Sequence, residues 1–128
     1  MSTEKKHIPE LHHEHQDFMS AINFYRDDIK ALTARLEEVV GKNTKTEVTS
    51  KIEHFQNQFI RQLEVADELE HEIKVHEMLL AENVSSNPVA YDHILVDDHK
   101  SLRSDMELFR KVYEELRKEF NKFIEEVI

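Results

Sequence analysis

Apolar residues recur along almost the whole chain in alternating steps of four and three, counted from Leu11, Val48 and Leu95. A mean spacing of 3.5 residues is that of a helix whose apolar seam supercoils with its neighbours, whereas a half-buried strand would alternate at every second position. The pattern runs through three long segments, at about residues 9–40, 44–83 and 87–127. The sequence therefore predicts an all-α fold of three helices with heptad seams.

Residues that favour helix ends separate the first two segments. Pro9 suits the first turn of a helix, because its missing N–H has no partner to lose there, and Gly41 is a common residue just after a helix end. Thr44, with Glu47 three residues later, forms a capping box that would satisfy two free N–H groups of the second helix. These signals predict that the first helix begins at Pro9 and the second at about Thr44.

The second connection carries similar signals. Asn87 is a favourable N-cap, and Pro88 suits the first position of the last helix. Connections this short make consecutive helices antiparallel. We therefore expect a single domain, residues 1–128, folded as an elongated up-down-up antiparallel three-helix bundle.

Composition agrees with helices and excludes several classes of function. The chain has one glycine, two prolines and no cysteine, which leaves little material for tight β-turns and none for disulfides, thiolate metal sites or iron–sulfur clusters. A net charge of −10 argues against a nucleic acid partner. No apolar run approaches the roughly 18 residues of a membrane span, and the polar N-terminus lacks the apolar core of a signal peptide. We expect a cytoplasmic protein that binds neither nucleic acid nor membrane.

The histidines are the feature that points to chemistry. Eight of the nine fall in three short windows, His7–His15, His71–His76 and His93–His99. An antiparallel bundle would bring these three windows to the same end. The sequence thus predicts one histidine-rich end on an otherwise ordinary helical scaffold.

His15, His76 and His99 occupy seam positions and are therefore expected to face the core. Folding the chain about its two connections sets His15 level with about Glu72, and His99 level with about Val75. All three seam histidines should then share two or three core layers.

Buried imidazoles need compensation, because each unsatisfied polar group costs on the order of 1 to 3 kcal/mol. A metal ion would supply it, since imidazole and carboxylate ligands suit zinc or non-haem iron and facing helices of bundles often provide them. A polar network with carboxylates and water is a second solution, and a wet, open bundle end is a third.

Three further residues are candidate ligands or hydrogen-bond partners of the seam histidines. His12 flanks the seam of the first helix, while Glu72 and Asp98 lie on or beside the seams of theirs. The candidate metal-binding set is therefore His15, His76, His99, His12, Glu72 and Asp98. The remaining histidines are expected at outer or solvated positions: His7, His13, His54, His71 and His93.

The stretch Leu11–Phe18, Leu-His-His-Glu-His-Gln-Asp-Phe, and the shorter Asp97–Leu102, Asp-Asp-His-Lys-Ser-Leu, resemble the histidine-bearing helices of hemerythrin-like (HHE cation-binding) domains. Those domains are helical bundles that hold a non-haem di-iron centre through histidines and carboxylates. Of the ligand spacings of that family, His-x-x-x-x-Asp occurs here, in the pairs His12–Asp17 and His93–Asp98, while His-x-x-x-Glu and His-x-x-x-His are missing. The resemblance implies a metal-binding bundle. The missing spacings argue against a complete di-iron site of that kind and leave a smaller, mononuclear site as the alternative.

Two function classes follow. The first is a metal-binding helical bundle with a histidine and carboxylate site at one end, in a sensing, storage or structural role. The second is a non-enzymatic interaction or scaffold protein that forms a homodimer or binds a partner helix, with the histidines as a polar core network. Its candidate contact residues are Ile60, Val65, Leu79, Leu108 and Ile124.

Other functions have less support in the sequence. A third role is that of a pH-responsive bundle, in which protonation of several core histidines at about pH 6 would place charges in one end of the core and open it. The chain has no glycine-rich phosphate loop and no nucleophile elbow, so we expect binding rather than catalysis.

Overall fold

The computed structural model of the chain contains three long helices, α1 (Thr3–Val40), α2 (Thr46–Ser85) and α3 (Pro88–Val127). It describes the backbone of residues 3–41, 45–85 and 88–127, and the side chains of residues 9–41, 45–82 and 99–127. The described backbone contains no strand, and each helix packs against the other two. The predicted all-α, three-helix bundle is confirmed.

The first helix begins earlier than predicted. α1 starts at Thr3, so Pro9 lies inside the helix rather than at its first turn. Glu4 and Lys5 are favourable helix formers, and a proline near the helix start removes only one backbone hydrogen bond, so the helix continues past it. At the other end α1 stops at Val40, as predicted, and Gly41 follows without a left-handed φ.

The ends of the other two helices lie close to their predicted positions. α2 begins at Thr46 and ends at Ser85, two residues later than predicted at each end, which is the ordinary uncertainty of helix boundaries. Thr44 and Asn87, the predicted caps, lie outside the described residues. α3 begins at Pro88, as predicted.

Apolar side chains from all three helices form the core. Every described seam position, counted in steps of four and three from Leu11, Val48 and Leu95, is buried or half-buried. The core divides into a large cluster around Phe120, a second around Ile73, and a small third formed by Leu11 and Leu80. None of the described helices contains a stretch long and apolar enough to cross a membrane.

Candidate metal centre

Three histidines, one from each helix, meet in the core. His15 of α1, His76 of α2 and His99 of α3 have exposed fractions of 1%, 5% and 1%. Along α1 and α2 the histidine lies between residues of the second and third apolar clusters. One polar layer made of three imidazoles therefore interrupts an apolar core.

The ring nitrogens of this layer converge on one point. His15 Nε2 lies 2.7 Å from His76 Nδ1 and 3.2 Å from His99 Nδ1, and the candidate ligand atoms all lie within 4.8 Å of one another. Four ligands at about 2.0 to 2.1 Å from a tetrahedral zinc ion stand roughly 3.3 Å apart. The two separations measured from His15 Nε2 thus lie within about 0.6 Å of the value for a tetrahedral ion.

The opposite nitrogens of two of these rings face carboxylates. His15 Nδ1 donates to Glu77 Oε1 at 2.5 Å, and His99 Nε2 donates to Glu14 Oε1. Metal-ligating histidines usually donate their second N–H to a carboxylate or carbonyl, which fixes the tautomer and the ring orientation. The layer therefore combines convergent ring nitrogens with carboxylate partners for the opposite nitrogens of His15 and His99, as histidine metal sites do.

A count of the ring protons shows a shortage of donors among the convergent nitrogens. With the N–H groups of His15 and His99 directed at Glu77 and Glu14, His15 Nε2 and His99 Nδ1 each present a lone pair to the other across 3.2 Å. His76 can donate one proton from Nδ1 to His15 Nε2, but no proton of the three neutral rings remains for His99 Nδ1. A cation between the rings would remove this repulsion.

Electrostatics around the layer favour a neutral His15 and an ionised Glu14. Burial lowers the pKa of His15, and the hydrogen bond to Glu77 offsets this only in part. Burial alone would raise the pKa of Glu14, but hydrogen bonds from Arg103 and His99 outweigh it, so the pKa is lowered. Arg103 Nη2 lies 2.8 Å from Glu14 Oε1. Neutral imidazoles and ionised carboxylates are the states that a metal site requires.

An aromatic ring holds the layer in place. Phe18 of α1 stacks on His99 with ring centroids 5.9 Å apart and an interplanar angle of 21°, and it also contacts His15 at 6.5 Å. The ring orientations are thus set by packing as well as by hydrogen bonds, as preorganised ligands require.

The other candidate ligands from the sequence lie elsewhere. His12 is exposed and donates from Nδ1 to Glu77 Oε2 at 2.7 Å, so it shares a carboxylate with His15 rather than joining the convergent nitrogens. Glu72 is exposed and lines a cavity beside His76. The structure does not describe the side chain of Asp98, nor those of His7 and His93. Of the predicted surface histidines, the following are exposed: His13, His54 and His71.

Glu14 and Glu77 are the functional candidates that the sequence analysis missed. Each is the immediate neighbour of a seam histidine, yet each reaches a histidine of another helix: Glu14 contacts His99, and Glu77 contacts His15. A carboxylate adjacent in sequence to a seam histidine lies at the edge of the seam, and that position is the signal that could have identified both.

Comparisons with known proteins add no assignment. No family model, curated protein or solved structure matches the chain. The resemblance to hemerythrin-like domains stays a prediction. The chain is thus characterised by its geometry: a three-helix bundle with a buried layer of three histidines that could hold a metal ion.

Proposed function

We propose that this protein is a metal-binding helical bundle in which His15, His76 and His99 hold one ion of zinc or non-haem iron. The observation that carries the proposal is the orientation of the rings, with one nitrogen of each directed at a common point and the outer nitrogens of His15 and His99 directed at carboxylates. Such an arrangement serves a metal ion better than it serves three neutral rings alone.

The donor set narrows the choice of metal. Three imidazoles without a thiolate favour zinc, iron and other borderline divalent ions over copper(I), and a site without a cage of oxygen ligands does not suit calcium or magnesium. A site of one ion agrees with the single group of three close ligands among the described side chains. The sensing, storage and structural roles all begin with this binding step.

We further propose the up-down-up arrangement with heptad seams that the sequence predicts. His12 of α1 pairs with Glu77 of α2, whereas Arg26, farther along α1, pairs with Glu70, which comes earlier in α2. The contacts between α1 and α3 follow the opposite rule, because a higher residue number in α1 is paired with a higher residue number in α3. Burial of the described seam positions supports a seam that is continuous along each helix.

The test is a zinc and iron titration of tag-free protein, because a histidine tag would scavenge ions. We expect near-stoichiometric metal by elemental analysis after purification, or after loading and desalting. His99→Leu replaces the buried imidazole with an apolar side chain of similar volume and should lose the bound ion. His54→Leu removes an exposed histidine and should retain the ion. Circular dichroism verifies that both variants remain helical.

Two outcomes would overturn the proposal. The first is wild-type protein that takes up no zinc, iron, manganese or cobalt and melts at the same temperature with and without each ion. The second is equal metal binding by His99→Leu and wild type, since the ion would then be held elsewhere. In either case the histidines would form a polar network instead.

A second candidate function is self-association or binding of a partner helix. Leu108 and Ile60 are 62% and 56% exposed, and Val112 is 41% exposed, so α2 and α3 present large apolar side chains to solvent. Two other candidate contact residues, Val65 and Leu79, are half-buried. Ile124 was wrongly predicted as a contact residue, because it is 2% exposed and packs in the core cluster around Phe120.

Sedimentation equilibrium across a hundredfold range of protein concentration tests this second candidate. A defined dimer that Leu108→Glu converts to monomer would support it, because the variant places a charge in the exposed apolar patch. A monomer at the highest concentration would contradict self-association.

A further inference from the structure

A groove of about 400 Å³ lies between the middle of α2 and the middle of α3. Its apolar wall consists of Val65, Leu69, Leu108, Phe109 and Val112. Leu69 and Phe109 belong to the core, whereas Leu108 and Val112 are exposed. The core therefore continues along this groove into apolar side chains that face solvent, and exposed apolar patches of this kind often bind another molecule.

Three exposed carboxylates also line the groove, and we call Glu68, Glu72 and Asp105 its acidic rim. Arg61 lies 3.5 Å from Glu68, but Glu72 and Asp105 form no ion pair with any residue whose side chain the structure describes. Burial raises the pKa of Glu72, and the charges of Asp105 and Glu68 raise it further. The acidic rim thus carries mutually repelling negative charges that a basic molecule would neutralise.

A buried amide at the wall of the groove lacks a donor. Gln62 lines the groove and is 4% exposed, and its Oε1 atom has no hydrogen-bond partner among the described residues. A buried acceptor without a donor lowers the stability of a protein. An occupant that brings N–H groups into the groove would therefore gain a hydrogen bond at this position.

The length and the charge of the groove select the kind of occupant. From Arg61 to Glu72 it follows about 17 Å of α2, or three helical turns, and the surface of two packed helices fits a third helix. A second copy of this chain would bring its own net charge of −10, and a two-fold dimer would set one acidic rim near the other. A basic helix avoids this repulsion.

We propose that the groove between α2 and α3 binds a basic amphipathic helix of another protein. The apolar stripe of that helix covers Leu108 and Val112, and its lysine or arginine side chains pair with the acidic rim. The inference rests on the second candidate function, binding of a partner helix, and adds the chemistry of the partner. It is independent of the proposed metal ion, because none of the three central histidines lines this groove.

A synthetic peptide of about 18 residues tests the proposal, since it is long enough to form a helix and to span the groove. The peptide carries leucines at heptad spacing, lysines beside them and alanines elsewhere, and a second peptide has glutamate in place of each lysine. Fluorescence anisotropy measures the binding of each labelled peptide to the tag-free protein. We expect saturable one-to-one binding of the lysine peptide and at least about tenfold weaker binding of the glutamate peptide.

Variants of the apolar wall locate the site. Leu108→Gln removes an apolar side chain that is 62% exposed, without a change of charge. Phe24→Gln makes the same kind of change on α1, outside the groove, at a side chain that is also 62% exposed. We expect Leu108→Gln to weaken binding of the lysine peptide at least about tenfold, because a central apolar contact is lost, and Phe24→Gln to bind as wild type does. Val112→Gln repeats the test at a second position of the wall.

Variants of the acidic rim test the charge. Glu72→Gln combined with Asp105→Asn removes two negative charges from the groove. Glu53→Gln combined with Asp27→Asn removes two negative charges from exposed positions elsewhere. At an ionic strength of about 0.1 M, charges farther apart than about 10 Å are largely screened. We therefore expect the rim variant to bind the lysine peptide about fivefold more weakly than the control variant.

The outcomes separate this proposal from the earlier ones. No saturable binding of the lysine peptide to wild type, equal binding of the two peptides, or equal binding by the rim and control variants would overturn the basic partner. Equal binding by Leu108→Gln and Phe24→Gln would overturn the groove as the site. A dimer that Leu108→Glu dissociates, together with no peptide binding, would assign the groove to a second copy and leave self-association standing. None of these results bears on the metal titration.

Discussion

Glu77→Gln offers a direct test of the carboxylates that surround the histidine layer. Glu77 accepts hydrogen bonds from His15 Nδ1 at 2.5 Å and from His12 Nδ1 at 2.7 Å. Glutamine keeps the size of the side chain but removes its negative charge and one acceptor oxygen. The substitution therefore holds the His15 ring less firmly in its orientation and lowers the basicity of the ring, without creating a cavity in the bundle.

The expected effect on metal affinity follows from these contacts. Loss of an outer hydrogen-bond partner of a metal-ligating histidine typically reduces metal affinity about 10- to 100-fold, or roughly 1.4 to 2.7 kcal/mol. The amide oxygen of glutamine can still accept from His15, and the Glu77 side chain is 31% exposed, so solvent compensates in part. We therefore expect a reduction near the lower limit, about tenfold.

The assay is competition for zinc with a chromophoric chelator at pH 7.5. Glu53→Gln is the matched control, because it makes the same change of charge at an exposed position of α2. Glu77→Gln should bind zinc about tenfold more weakly than Glu53→Gln at the same ionic strength. Equal affinities of the two variants would refute the reasoning, since Glu77 would then do nothing for a metal bound by His15.

Three further predictions concern the metal-depleted protein. Burial lowers the pKa of His15, so at acidic pH the unfolded chain binds a proton at this residue that the folded chain does not. The free energy of unfolding should therefore fall as the pH drops below 6.5, by at most about 1.4 kcal/mol per pH unit for this residue. Urea unfolding at pH 7.5 and pH 5.5 measures this, and His15→Leu should show a smaller change; an identical pH dependence would contradict it. Phe120→Ala should lower the free energy of unfolding by about 3 to 5 kcal/mol in urea, because Phe120 is 0% exposed in the core; a loss below about 1 kcal/mol would contradict this packing. Gln62→Leu should raise the free energy of unfolding in urea by about 1 to 3 kcal/mol, because Gln62 Oε1 is buried without a hydrogen-bond partner among the described residues. Gln56→Leu, at an exposed position, should change this free energy little, and equal effects of the two substitutions would refute the explanation.

The core and the three central histidines could be predicted because periodicity is a direct consequence of burial. A side chain at a seam position faces the neighbouring helices whatever its chemistry, so His15, His76 and His99 were identified by their place in the pattern and not by their residue type. Their burial and their proximity in the structure agree with that reasoning.

The hydrogen-bond partners of the histidines could not be found in the same way. Folding the chain about its connections set His15 level with Glu72, whereas the structure places it against Glu77 and His76. Helical side chains lean towards the N-terminus of their own helix. In the antiparallel arrangement proposed for α1 and α2, the side chains of both helices lean towards lower residue numbers. The residues that touch then have higher numbers than the residues whose Cα atoms are level. An estimate from backbone positions alone of which residues lie at the same height therefore misses Glu77.

The hydrogen count bears on the two interpretations that the sequence left open. A polar network must match donors with acceptors, and three neutral imidazoles bring three N–H groups. The carboxylates of Glu14 and Glu77 take two, and His15 Nε2 takes the third, so His99 Nδ1 faces another lone pair without a proton from the three rings. A second proton on His15 would supply the missing donor, but burial lowers the pKa of His15 and opposes that charge. A divalent ion would instead accept all three lone pairs and would leave both carboxylate hydrogen bonds intact. The same contacts that leave a network of the three rings one donor short would therefore suit a bound metal ion.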